Sequence, residues 1–180
     1  MTVAPVATIA AFNEWAKARD WPAVCDGDLA FASPALTDLL TIWREHAGRE
    51  AMPQRGQLSA RVLKAHLTQI AIFERTSVDP PRYRARLMGT KLTQILGDMQ
   101  GKFLEDTAAP ETVARWHAVL DLVLSVKRPL RFFNPIAYIG REHLQAESFG
   151  APLAESGGAP TMVLVGIVFK TNFAAGAEVA

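Results

Sequence analysis

The groups in this chain that could do chemistry are four histidines, one cysteine and 18 acidic residues. His46, His66, His117 and His143 show no paired spacing of the kind that puts two imidazoles on one helix face around a metal, and Glu142-His143 has no second ligand one turn away. A single thiol, Cys25, can form neither an internal disulfide nor a cysteine-based zinc site. Gly97-Asp98-Met99-Gln100-Gly101-Lys102-Phe103 has the look of a phosphate loop. It has three residues between its glycines where four are needed, and Phe103 stands where a metal-binding hydroxyl belongs. The glycines are better explained as a helix stop and a turn. No nucleophile elbow occurs, and no serine or cysteine is spaced to a histidine in a way that argues for a triad. Glu105 and Asp106 are neighbours whose side chains point apart, which suits a solvated turn. Glu74 is expected at the exposed end of a strand, because glutamate is rarely buried. His46 belongs near a helix C-terminus, where the dipole favours a cationic side chain. No catalytic set emerges.

Composition narrows the classes further. The 180 residues carry 19 Lys and Arg against 18 Asp and Glu, with 49% hydrophobic residues, as in a globular protein with one core. A net charge of +1 leaves no electrostatic footprint for nucleic acid. The longest apolar run, Met162 to Phe169, is far short of the ~20 residues a membrane span needs. No leader pattern opens the chain, so a reduced, cytoplasmic protein is expected.

Several elements must position whatever site exists. Ile9, Phe12 and Ala16 recur at helical spacing within an N-terminal extension, residues 1–33, that packs on the main domain or on a partner. Asp26-Gly27-Asp28 predicts a turn. Ser33 and Pro34 suit an N-cap and a first helical position, and Leu36, Leu39, Leu40 and Trp43 form an apolar stripe ended by Gly48. A short helix is expected from Ser59 through Leu67, then a strand over residues 69–76. Arg82 to Leu87 alternates, with three arginines on a wet face and Tyr83, Ala85 and Leu87 on the other. Gly89-Thr90 opens a helix that Gly97 stops, and the longest helix runs from Pro110 to Lys127. Strands follow over 130–138, 142–153 and 161–172, with a turn at Ser156-Gly157-Gly158 and a fraying tail over 173–180. The class predicted is α+β: a five-stranded antiparallel sheet with helices on one face, over residues 34–172.

That order, with certain residues, resembles the PAS sensory fold, and more closely the stand-alone PAS-like family common in alphaproteobacteria. The likeness rests on Trp43 in Leu39-Leu40-Thr41-Ile42-Trp43, Pro53-x-Arg55, and Tyr83-Arg84-Ala85-Arg86-Leu87-Met88-Gly89-Thr90. Gly97, Gly101, Arg128-Pro129 and Pro152-Leu153 complete it. The resemblance implies a concave sheet face and a long helix enclosing either a small ligand or a packed core. It implies signalling or protein contact in place of turnover. Residues expected to line that space are Tyr83, Ala85 and Leu87, with Trp116 and Leu120 facing them, and Phe132 with Asn134, whose amide could orient a ligand. Some PAS proteins hold haem iron through a helix histidine, which makes His117 the one haem option, a minor one; the cofactor is otherwise unknown. Flavin photochemistry needs a core cysteine, and Cys25 lies before the core. The partners expected are a small molecule, a signalling protein or a second copy, reached through another chain, with no nucleic acid and no membrane. The alternative is a scaffold or homodimerisation protein with a filled core, whose Phe12, Trp15 and Trp21 form the contact surface.

Overall fold

The computed structural model describes residues 7–135, 144–155 and 158–171. Its helices are α1 (Ile9–Lys17), α2 (Pro34–Ala47), α3 (Thr90–Leu96) and α4 (Pro110–Val126). The strands are β1 (Val24–Asp26), β2 (Ile70–Arg75), β3 (Tyr83–Met88), β4 (Leu130–Pro135), β5 (Leu144–Ala154) and β6 (Pro160–Thr171). They form one antiparallel sheet in the order β1-β4-β5-β6-β2-β3. The α+β class is as expected. The tail over 173–180, the third predicted strand beyond Pro135, His143 and the Ser156-Gly157 part of the turn lie outside the described residues.

Three expectations are corrected. The sheet has six strands, because Val24–Asp26 pairs with β4 through Val24↔Phe133, Cys25↔Phe132 and Asp26↔Arg131. Three residues are too few to display a period of two, and the Asp-Gly-Asp turn signal masks them. Helices cover both faces: α2 packs its Leu36, Leu39, Leu40 and Trp43 on one side, and α1, α3 and α4 pack on the other. The segment after Ser59 forms successive turns and a 3₁₀ turn, Leu67–Gln69, in place of a helix.

Two glycines on adjacent central strands let helices approach from opposite sides. A Cβ at Gly150 would sit 3.0 Å from Val123 of α4, and one at Gly166 would sit 2.5 Å from Leu39 of α2. Between them β6 alternates strictly. Val163, Val165 and Ile167 join the α4 side, and Met162 and Leu164 join the α2 side. That explains why this strand is apolar on both faces.

The N-terminal segment is joined to the sheet by a buried ion pair. Glu147, the fourth residue of β5, is only 2% exposed. Its Oε1 accepts from the backbone N–H of Ala32 at 2.8 Å and from Arg131 Nε at 2.9 Å, and its Oε2 accepts from the Ser33 N–H at 2.9 Å. Arg131 reaches on to Asp26 at 3.2 Å, and its guanidinium lies 3.8 Å from the Phe133 ring centroid. Ser33 occupies the N-cap of α2 without a side-chain capping bond, its own N–H being held by Glu147.

Both sheet margins are covered. Cys25 donates its N–H to Asn13 Oδ1 at 2.8 Å and accepts from Asn13 Nδ2 at 3.0 Å. At the other margin Ala85 donates to Lys102 O and accepts from the Gly101 N–H at 2.7 Å.

Two substitutions test this framework. A Cβ at Gly89 would meet the Leu67 carbonyl and lie 2.5 Å from Thr68 backbone atoms, none of which can rotate away. Gly89→Ala is expected to cost about 3 kcal/mol, whereas Gly56→Ala, with open space around it, stays near neutral. Glu147→Ala leaves Arg131 partly uncompensated and two N–H groups unpaired, a loss of about 3–5 kcal/mol in urea unfolding.

Candidate functional site

The residues expected to line one space are distributed over the molecule. Tyr83, Ala85 and Leu120 have no solvent-accessible surface and lie within the α4-side core, with Trp116 packed against it. Trp116 stacks obliquely on Phe73 with centroids 5.0 Å apart. Leu87 does not join them. Phe73 pairs with Ala85 and Ile72 with Leu87, so Arg86 is an extra residue in β3. That bulge turns Leu87 to the α2 side, where it packs on the other core, and Met88 takes the inner position.

Phe132 is also apart. It lies on β4, four strands from β3, or about 19 Å along the sheet. Phe12 of α1 covers it edge-on at 5.5 Å. The Asn134 side chain lies outside the described residues. Tyr83, Ala85, Trp116 and Leu120 are therefore grouped, while Leu87 and Phe132 belong elsewhere.

Where Asp121 of α4 meets Tyr83 of β3, a polar seam borders the apolar core. Tyr83 donates its phenol to Asp121 Oδ1 at 2.6 Å, and Arg75 lies 3.7 Å from the same oxygen. One turn earlier on α4, His117 Nε2 donates to Glu105 Oε1 at 2.7 Å, its ring edge-on to Tyr83 at 5.0 Å. Arg82 joins Glu105 at 3.3 Å to Asp106 at 2.6 Å. Burial, reinforced by the Asp121 charge, raises the Tyr83 pKa far above the ordinary phenol range, so the phenol stays a donor. These surroundings do not suit an axial haem ligand: His117 Nε2 is engaged by Glu105, and Tyr83 behind it contacts no water-sized space.

Cys25 is buried between α1 and β4, and desolvation pushes its thiol up from 9.0 to about 12. His66, buried, donates Nε2 to Asp38 at 2.6 Å and accepts from Gln69, which fastens α2 to the turn before β2. His46 donates Nδ1 to the Ile42 carbonyl at the end of α2, the local role its position suggested. Among the described residues no group of three or more His, Cys, Asp or Glu could hold a metal ion, and no helix is long and apolar enough to cross a membrane.

Residues 31–168 match the PAS domain family. The chain belongs to that family. No curated protein and no solved structure matches it. The residues that carry the PAS resemblance turn out to be braces. Trp43 Nε1 donates to the carbonyl of Pro152 at 2.9 Å, and the Pro53 carbonyl accepts from Ala154 at 3.1 Å. Gly97 and Gly101 both have positive φ, 92° and 77°, as helix stop and turn.

Sequence reasoning missed Asp121, which the apolar stripe of α4 concealed, and it placed Glu105 on a solvated turn. The signal was present as the i, i+4 pair His117 and Asp121 on one face of a helix otherwise apolar there. Phe12 and Trp21, weighed as a contact surface for a partner, are buried within this chain's own core.

The two shifted groups fix a pH dependence. Both the Cys25 thiol and the Tyr83 phenol keep their protons in the folded state beyond the pH at which the unfolded chain releases them. The unfolded state then binds fewer protons, and stability falls as pH rises past about 9, at up to about 1.4 kcal/mol per pH unit for each group. Urea midpoints between pH 7 and 11 are expected to decline for the parent chain and to decline less steeply for Cys25→Ala and Tyr83→Phe.

Proposed function

We propose that this PAS module is a cytoplasmic signalling component that works by protein contact, without turnover, its inner sheet face closed by its own side chains. The observation carrying this reading is that Tyr83, Ala85 and Leu120, central to any space under α4, are touched by no water-sized void. A second reading, a small-molecule sensor, draws support from the Tyr83–Asp121 and His117–Glu105 pairs. A few convergent polar groups beside an apolar interior are what orients ligands in small-molecule sites. In that case the seam must open for a ligand to enter.

Thermal unfolding against a panel of haem, flavins, nucleotides, fatty acids and aromatic acids separates the two. Protein contact predicts no stabiliser. A compound present at 100 times its Kd contributes about 2.7 kcal/mol, a rise of about 5 °C or more in Tm. Such a rise, lost in Leu120→Trp, would establish the sensor reading instead.

A further inference from the structure

We propose that α1 and β1 are exchangeable between two copies of this chain, residues 7–26 of each copy taking the seat over β4 in the other. The seat is demanding. Phe12 and Ala16 have no accessible surface, and Phe12 stands edge-on to Trp21 at 5.7 Å and to Phe132 at 5.5 Å. β1 adds three paired residues beside β4, and Asp26 completes the Arg131 cluster. Apart from the Phe12–Trp21 pair, which lies within the segment, these contacts are non-covalent and join it to the rest of the molecule. The same segment supplied by a second copy reproduces all of them, so the closed and exchanged forms differ chiefly at the hinge.

The hinge is marked on both sides. Asp26 is held by Arg131, and Ala32 and Ser33 are held by Glu147. Between these anchors the closed chain must reverse within residues 27–31. It does so with Leu29 at φ 56°, a left-handed conformation that leucine adopts only under strain. Short, strained hinges favour exchange, because an extended connection releases the strain. The family match begins at residue 31, so the segment before the hinge is an addition to the matched unit. Six steps from Asp26 to Ala32 span at most about 20 Å, so the two bodies abut at their hinges.

The test uses the full chain. Light scattering after refolding at high concentration is expected to show a dimer alongside monomer. Leu29→Gly removes the strain of the closed form and is expected to shift the equilibrium toward monomer by about tenfold. Deleting Asp28 and Leu29 prevents closure and is expected to leave dimer. To identify the exchanged segment, Val24→Cys and Phe133→Cys are combined in a Cys25→Ala background, placing thiols on directly opposed residues of β1 and β4. After oxidation, exchange links the two chains on a non-reducing denaturing gel. A chain that stays monomeric, even with the hinge shortened, overturns the proposal. So does a dimer whose disulfides all lie within single chains.

Discussion

A carboxylate placed inside a β-sheet needs a partner for each of its oxygens, and Glu147 organises one end of this molecule by meeting that need. Its two oxygens take two backbone N–H groups from the entrance to α2 and two nitrogens of Arg131. Arg131 in turn takes Asp26. Asp26 and Ala32–Ser33 from the N-terminal stretch and Arg131, about a hundred residues later, are thereby brought to one point on β5. A hydrophobic pair of similar volume could match the net stability of this arrangement. It could not specify direction. Ala32 and Ser33 must arrive with their N–H groups toward Oε1 and Oε2, which sets how α2 enters its seat above Gly166, and the rest of the α2-side core follows from that entry.

Much of the architecture was legible because long, periodic segments report their own burial. The stripe Leu36, Leu39, Leu40, Trp43 places α2, and the alternation Tyr83, Arg84, Ala85, Arg86 places β3, both within a residue or so of their observed limits. What failed was governed by tertiary pairing. The bulge at Arg86 exists because β2 and β3 fall out of step between Ile72 and Phe73, and nothing in the local alternation announces it. Strand order is similarly silent in sequence. Tyr83 and Phe132 both face the α4-side core, yet the crossover through α4 puts β3 and β4 four strands apart. Trp15 and Trp21 illustrate a subtler limit. Aromatic residues bind interfaces and cores by the same physics, and it is the seating of α1 on β4 that turns Trp21 inward onto Phe12.

The polar seam on α4 couples two kinds of contact. Tyr83 has its ring in the core and its hydroxyl on Asp121, so any movement of α4 along β3 breaks a hydrogen bond formed at the edge of low-dielectric material. His117, four residues earlier, ties the same helix to Glu105 in the turn after α3, and through Glu105 to Arg82 beside β3. The helix is thus held at two successive turns by groups whose partners sit on different elements. A displacement of α4 itself would strain both bonds at once.

The clamp of Asn13 on Cys25 bears on how this protein behaves when crowded. A bare β1 would present unpaired amide and carbonyl groups, an invitation to open-ended stacking of sheets. One side-chain amide stands in for the missing neighbour, and the 101–103 loop does the same at the far margin. Asn13 and Cys25 lie on the same short stretch of chain, so the cover moves wherever the strand moves. At Cys25 and at Ala85 the margins therefore offer no free amide or carbonyl for a further strand to pair with.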